Sequence, residues 1–279
     1  MNGQIIKIIS NLYTVKTIDG GLYGCRARGK FRNLRISPIV GDNVTIDIDN
    51  NLITEIKERR NELKRPIISN VDAALIISST THPELDLYLL DKLVSLVTYN
   101  NIEPVICFTK LDLLNESKKE MIKNLKKYYE HIGIKVFYNT DTKEIIDYLQ
   151  NKIVVLCGQT GAGKSSLLNR LDSKLNIETN EISEALGRGK HTTRHTELYN
   201  INCAYIADTP GFSALDLDIP KEDLKYTFNE FMEYECKFRD CNHDKENNCG
   251  VKDAVQKKLI LSSRYENYLL FLKEVKKWK

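Results

Sequence analysis

Gly158-Gln159-Thr160-Gly161-Ala162-Gly163-Lys164-Ser165 stands between an apolar run, Ile153 to Cys157, and Ser166-Leu167-Leu168-Asn169-Arg170-Leu171. A buried strand, a glycine-rich loop and a helix start, in that order, make a phosphate-binding loop. Each residue type has its reason. Glycines let backbone N–H groups converge on phosphate oxygens, and the start of a helix adds partial positive charge. Lys164 is placed to bridge β and γ phosphates, and Ser165 to ligate Mg²⁺. The expected nucleotide-binding residues are therefore Gly158, Gln159, Thr160, Gly161, Ala162, Gly163, Lys164, Ser165 and Ser166. A chance match in a chain of this length is on the order of one per cent, which is the weight left to a plain glycine-rich turn.

Two further strings belong to such a site. Asp208-Thr209-Pro210-Gly211 follows an apolar run, Cys203 to Ala207, where Asp208 can hold Mg²⁺ and the Gly211 N–H can reach a γ-phosphate. Between it and the loop, Leu186 to His195 is polar and glycine-containing, with Thr192 and Thr193 available to complete the Mg²⁺ shell; Thr193 is favoured slightly. Ras-like GTPases place a water-orienting Gln directly after this string, but here the residue is Phe212, which cannot hydrogen-bond water. His191 is the best internal replacement. A contact with a partner is the other reading of that histidine.

Thr109-Lys110-Leu111-Asp112 ends the strand run Val105 to Phe108 and suggests the base. Guanine offers N1–H and a 2-amino group to a carboxylate such as Asp112, whereas adenine offers an acceptor at N1. A buried carboxylate left unpaired costs a few kcal/mol, so GTP is expected over ATP. The usual form is NKxD, so Thr109 must supply with a hydroxyl the bracing that Asn gives to the phosphate loop. Taken alone, the tetrapeptide also reads as a charged strand exit. Its place ahead of Gly158 reverses the Ras-like order, which is a circular permutation.

The flanks differ in kind. Residues 1–64 read as all-β, with strands expected at Ile5 to Ser10, Leu12 to Thr17, Val44 to Ile48 and Leu52 to Ile56, and a small barrel of the oligonucleotide-binding (OB) type is the economical fold. Arg26, Arg28, Lys30, Arg32 and Arg35 interleave with Tyr23 and Phe31, a pattern suited to a phosphate backbone and stacked bases or, equally, to a solvated hairpin. Residues 65–215 alternate strands with helices. One helix is expected from a capping box, Thr81 with Glu84, burying Leu85, Leu89, Leu93, Leu96 and Val97; another from about Lys118 buries Met121, Ile122, Leu125, Tyr128, Tyr129 and Ile132 before Gly133 stops it. Residues 216–279 read as mostly helical, with Pro220 opening a helix and a basic helical tail containing Tyr265, Leu269, Leu272 and Val275. Cys236-x4-Cys241-x-His243-x5-Cys249 offers three thiolates and an imidazole, enough for a closed, structural tetrahedral Zn²⁺ site. The remaining cysteines, Cys25, Cys107, Cys157 and Cys203, are scattered and read as small hydrophobes.

Composition sets the outer limits. In 279 residues, 42% are hydrophobic and 28% charged, no apolar run approaches a membrane span, and the N-terminus lacks the features of an export signal, so a cytoplasmic protein is expected. A formal charge of +3 is mild, so nucleic-acid binding has to rest on local patches.

The small barrel, TKLD ahead of GQTGAGKS, then GKHTTRH, DTPG and CKFRDCNHDKENNC together resemble the RsgA/YjeQ family of circularly permuted GTPases, ribosome small-subunit-dependent GTPase A, over essentially the whole chain. The resemblance implies an OB-fold barrel, a permuted α/β P-loop GTPase core and a zinc domain. It also implies GTP hydrolysis to GDP during late maturation of the 30S subunit, with 16S rRNA as partner. By position, Lys164, Ser165, Asp208 and Gly211 match the family's phosphate and Mg²⁺ residues, Asp112 its guanine reader, His191 its proposed catalytic histidine, and Cys236, Cys241, His243 and Cys249 its zinc ligands. Asn139-Thr140 stands where the family's fifth motif carries Ser-Ala. A monomer without DNA or membrane partners is expected. The competing readings are a P-loop ATPase or small-molecule kinase, and a module in which nucleotide only fixes conformation.

Overall fold

The computed structural model describes the chain apart from residues 30, 32–35, 65, 173–174, 176–197, 202–203, 208–215 and 276–279. Strands β1 (Asn2–Ile9), β2 (Leu12–Thr17), β3 (Leu22–Ala27), β4 (Asn43–Asp47) and β5 (Leu52–Ile56) close into a barrel of order β1-β2-β3-β5-β4. Neighbours run antiparallel except β3 and β5, which are parallel. Alternation turns Ile5, Val15, Cys25, Val44, Ile46 and Ile53 inward, all nearly inaccessible. Closure leaves no free sheet edge. Ser10 and Asn11, both at positive φ, make the two-residue hairpin between β1 and β2.

The barrel corrects two expectations. The strand β3 falls in the basic and aromatic stretch, where the sequence named no strand; it buries one residue, Cys25, so its alternation is faint in sequence. Phe31 is 5% exposed and belongs to the core, which leaves little of its ring for stacking, while Tyr23 is half-buried and Arg26 and Arg28 are exposed. Lys30, Arg32 and Arg35 lie outside the described residues.

A six-stranded sheet follows, built from β8 (Ala73–Ser79), β9 (Glu103–Thr109), β10 (Lys135–Tyr138), β11 (Ile153–Cys157), β12 (Leu198–Ile201) and β13 (Ala204–Ala207), in the order β10-β9-β8-β11-β13-β12. Two short strands, β6 (Glu62–Lys64) and β7 (Ile67–Ser69), pair separately. In the large sheet β10 is parallel to β9 and β11 to β13, while the edge strand β12 is antiparallel. Every residue of β11 is buried, as a central strand covered on both faces requires. This is the expected α/β class, with its motifs in permuted order.

By proximity the chain forms two compact units, one of Met1–Leu75, Asp141–Leu156 and Gly163–Phe212, the other of Ile76–Thr140, Cys157–Ala162 and Ser213–Lys279. In the first, Asp72 joins the end of the barrel segment to β11: its backbone N–H donates to Ile153 O, and its carboxylate accepts from the Ile153 N–H at 2.8 Å. Asp42, fully buried, accepts from Arg59, Ser69 and the Ile39 N–H, so no charge is left unpaired there.

In the second unit, helix α1 (Leu87–Tyr99) starts at Asp86, whose carboxylate accepts the Leu89 N–H at 3.0 Å. The expected box at Thr81 and Glu84 does not form. Pro83 between them disfavours helical backbone at His82, and Asp86 has a free approach to an N–H three residues on. The buried face shifts accordingly to Leu90, Leu93, Val94, Leu96 and Val97, and Leu85 precedes the helix. Helix α2 (Glu116–His131) is capped by Asn115 and ends ahead of Gly133, whose φ is +84°; Met121, expected inside, is exposed.

The C-terminal segment departs most from expectation. Pro220 opens a turn, accepting the N–H groups of Asp223 and Leu224, and the chain continues as 3-10 helices Leu224–Thr227 and Asn229–Glu233. Regular helices come only later, at α5 (Gly250–Gln256) and α6 (Ser262–Glu274). Their core holds Leu224, Phe228, Phe231, Tyr268 and Phe271 together with Leu96 of α1. Beside it lies Arg264, 1% exposed, donating to Asp91 at 2.7 Å and to Glu230 at 2.8 and 3.1 Å. Tyr129 and Asn267 also donate to Asp91. Helices from three parts of the sequence thus meet on one guanidinium.

Candidate nucleotide and metal sites

The phosphate loop leaves β11 through a conformation that only glycine tolerates. At Gly158, φ is +131° and an added Cβ would lie 2.0 Å from the carbonyl oxygen of Ile77 in β8. Gly163, at φ +94°, ends the loop and starts α4 (Lys164–Leu171), the next helix after α3 (Thr142–Leu149); its own carbonyl accepts the Leu167 N–H at 2.9 Å, and no side chain caps the helix. An uncapped helix start next to a turn of glycines is the arrangement that receives phosphate. Lys164 is half-buried and Ser165 buried on the first turn, while Thr160, Gly161 and Ser166 are exposed. The expected loop residues thus run without a break from the end of β11 into the first turn of α4.

The tetrapeptide Thr109–Asp112 is fastened to that loop. The Thr109 hydroxyl, 2% exposed, donates to Ala162 O at 2.7 Å. Lys110 adopts left-handed backbone, φ +62°, and its ammonium donates to Gly161 O at 2.8 Å and also to His82 O. The hydroxyl expected to replace the missing Asn amide does so by direct contact. Thr80, which the sequence reading passed over, holds the strand end: its N–H and hydroxyl both donate to Thr109 O. Asp112 follows on a single 3-10 turn, Leu111–Leu113, and is exposed rather than buried. The expectation of a buried carboxylate at this position is therefore not met. Asn139, whose N–H donates to Phe108 O at 2.9 Å, begins the segment beyond β10 beside the same strand end. His191, Thr193, Asp208 and Gly211 lie outside the described residues, as do Thr192 and Phe212.

The four metal-ligand candidates come together. The ligand atoms of Cys236, Cys241, His243 and Cys249 all lie within 4.8 Å of one another. Cys236 and Cys249 sulfurs are 3.7 Å apart, and His243 Nδ1 is 3.5 and 3.3 Å from them. Tetrahedral ligands at zinc-to-sulfur bond lengths would be separated by about 3.8 Å, so the set fits one ion and is far too open for a disulfide. Burial pushes the Cys241 thiol up to about 12 and the Cys249 thiol upward, so an ion has to displace those protons. Burial, and after it the Lys225 charge, hold His243 below its usual range and favour the neutral ring that a ligand needs.

Backbone geometry explains why the cluster forms. His243 and Asn248 take left-handed conformations, and Gly250 passes so close to Glu235 O that a Cβ would lie 2.2 Å from it. Tyr265 and Tyr268 donate to the His243 and Asn242 carbonyls. Lys225, 8% exposed, donates to Cys241 O at 3.1 Å and places a cation beside what would be a net anionic site of three thiolates and a divalent ion. Nothing in the sequence around Lys225 marks that role.

On the barrel, a cleft of about 780 Å³ is lined by Asn11, Tyr13, Arg26, Arg28, Phe31 and Ile36 among others. Among the described residues, no helix is long and apolar enough to cross a membrane.

Comparison with known proteins agrees with these motifs. Residues 54–218 match the family model described as RsgA GTPase, and residues 2–54 match that of the RsgA N-terminal domain. The chain is 46% identical to "Small ribosomal subunit biogenesis GTPase RsgA 1" of Listeria monocytogenes serotype 4b, covering 99% of this chain and 98% of the relative. It is 48% identical to "RsgA 2" of Oceanobacillus iheyensis, covering 98% and 97%. Among solved structures it resembles YjeQ from Thermotoga maritima, with a TM-score of 0.85, 33% identity, and 98% and 97% of the two chains covered. It also resembles YloQ, described as a circularly permuted GTPase, with a TM-score of 0.84, 38% identity, and 98% and 94% covered.

Proposed function

The chain belongs to the RsgA GTPase family, and from that membership we propose that it hydrolyses GTP to GDP and phosphate on the 30S ribosomal subunit, assisting late maturation, with the subunit stimulating turnover. The observation that carries the nucleotide side is the double clasp of Thr109 and Lys110 on the carbonyls of Ala162 and Gly161, which makes the base-reading segment and the phosphate loop one assembly.

In this reading the N–H groups from Gly158 to Ser166 cradle the phosphates, Lys164 bridges the β and γ groups, and Asp112 accepts the two guanine donors. Ser165, Thr193 and Asp208 would hold Mg²⁺, which neutralises charge on the phosphate oxygens. Gly211 contributes its N–H to the γ-phosphate, and His191 orients the water that attacks phosphorus as the bond to the β-phosphate oxygen breaks. Cys236, Cys241, His243 and Cys249 hold one structural Zn²⁺; the near-tetrahedral spacing and four protein ligands support a closed site. The exposed Arg26 and Arg28 beside the barrel cleft support contact with 16S rRNA. The functional division is 1–64 for RNA, 65–215 for nucleotide and 216–279 for zinc; family matches that meet at residue 54 and end at 218 support it approximately. The protein acts in the cytoplasm as a monomer, with neither DNA nor a membrane as partner.

The test is GTP turnover by the full chain with and without purified 30S subunits. Stimulation of tenfold or more is expected, and equal rates would remove the coupling. In parallel, Asp112→Ala should erase the preference for GTP over ATP; a preference that survives would place base recognition elsewhere.

A further inference from the structure

The bonds made by Thr109–Asp112 also determine what that segment cannot do. Guanine carries donors at N1–H and the 2-amino group and acceptors at O6 and N7. Asp112, when ionised, only accepts, so it can serve the two donors and neither acceptor. Leu111 has no polar side chain. The Lys110 ammonium is fixed on Gly161 O and His82 O, holding it at the phosphate loop. Thr109 has a single hydroxyl proton. Its partner, the Ala162 carbonyl oxygen, can only accept, so that proton lies on the 2.7 Å bond between them, in a position 2% exposed. The side chains of Thr109, Leu111 and Asp112 have no proton left for N7, and two of the three protons of Lys110 are committed to Gly161 O and His82 O. An asparagine at position 109 would differ, because its amide carries two protons and could brace the loop with one while offering the other to a base.

We propose that the Thr109–Asp112 segment selects guanine through its N1–H and 2-amino donors without reading N7, so that 7-deazaguanine nucleotides, which carry C–H in place of N7, bind as guanine nucleotides do. Thr109 is the specificity-determining residue: its hydroxyl fixes the phosphate loop at the cost of a contact to the base. The inference rests on the GTP reading above and deepens it to the edge of the base that is recognised.

Displacement of a fluorescent GDP analogue from the full-length protein tests it, with GTP, 7-deaza-GTP, ITP and ATP as competitors. The expected order is 7-deaza-GTP within about twofold of GTP, ITP weaker by about tenfold or more because it lacks the 2-amino donor to a charged acceptor, and ATP weaker still. Thr109→Asn should open a gap of about fivefold or more in favour of GTP over 7-deaza-GTP. A wild-type protein that prefers GTP to ATP yet loses about tenfold or more on 7-deaza-GTP overturns the inference and leaves the GTP reading standing. No preference for GTP over ATP overturns the GTP reading itself and the inference with it. A T109N protein that binds GTP but treats the two analogues alike overturns the assignment to position 109. The wild-type comparison stands even if that variant does not fold.

Discussion

Thr109 braces the phosphate loop through one hydrogen bond, and Ala162, whose carbonyl receives it, is inaccessible to solvent. Thr109→Val keeps the shape and removes the donor, leaving that carbonyl unpaired at a cost of about 1–3 kcal/mol. If the loss falls on the loop geometry that receives phosphate, GTP affinity drops by roughly tenfold, whereas Thr109→Ser restores the donor and most of the affinity. Equilibrium titration of the three proteins measures it; equal affinities would show that the loop holds its form without the brace. Gly158 works in the opposite sense, by what it lacks. Its position against Ile77 O leaves no room for a methyl group, so the same residue that makes the loop legible in the sequence also seats it on β8. The difference in legibility between the two is physical. The glycines and Lys164 sit within eight consecutive residues and declare themselves by spacing, while the clasp joins residues 53 apart in sequence and needed the folded chain to reveal its acceptor.

At the scale of elements, the C-terminal helix α6 shows where pattern reading fails. Its expected face held Tyr265, Leu269, Leu272 and Val275, but the buried set includes Arg264 and Asn267, because the partners of these polar groups, Asp91 and Glu230, come from α1 and from the 3-10 turns. An arginine reads as surface unless its counter-ions are known. The β3 strand and the misplaced cap of α1 failed for related reasons, one through having a single buried residue and the other through a proline between the supposed partners. By contrast the stop of α2 at Gly133 and the inward alternation of the barrel were plain from local sequence. Arg264→Met tests the weight of the cluster: it strands two buried carboxylates and should destabilise the chain by about 3–5 kcal/mol in urea unfolding. A loss under about 1 kcal/mol would show that water or a proton readily replaces the guanidinium. The neighbouring contact of α1 with α6 has a pH signature. Burial by itself would raise the Glu274 carboxyl, but hydrogen bonds from Lys92 and Tyr88 outweigh it and hold the group below its usual range. A carboxylate with a lowered folded pKa contributes stability above its unfolded value near 4.5, and that contribution disappears as pH falls through the folded value. Glu274→Gln should therefore flatten the acid limb of the stability profile below about pH 4.5 while leaving the upper limb parallel to wild type.

At the scale of the chain, the cluster of Cys236, Cys241, His243 and Cys249 and the Thr109–Asp112 segment belong to one compact unit, joined through α1, which packs on the C-terminal core and leads directly into β9 and Thr109. That raises the question of whether the ion supports nucleotide binding or only the segment that carries it. The aromatic core of Phe228, Phe231, Tyr268 and Phe271, with the Arg264 cluster, closes the interface with α1 without any metal ligand contributing to the ion pairs. The ligands themselves sit on Cys236 to Cys249, a stretch with little regular structure and few apolar residues, whose carbonyls are held by Lys225, Tyr265 and Tyr268. An ion bound at about a hundred times its dissociation constant stabilises by about 2.7 kcal/mol, worth roughly 5–10 °C in a chain of this size. Removal of the ion with a chelator under reducing conditions should lower the melting temperature by that amount and expose the 236–249 stretch to protease. GTP affinity should stay within about twofold of the loaded protein, because the clasp at Ala162 and Gly161 does not depend on the cluster. Stimulation by 30S subunits is the property expected to vanish. Parallel loss of GTP binding and metal would instead mean that α1 transmits the state of the cluster to Thr109, and the two sites would have to be treated as one cooperative device.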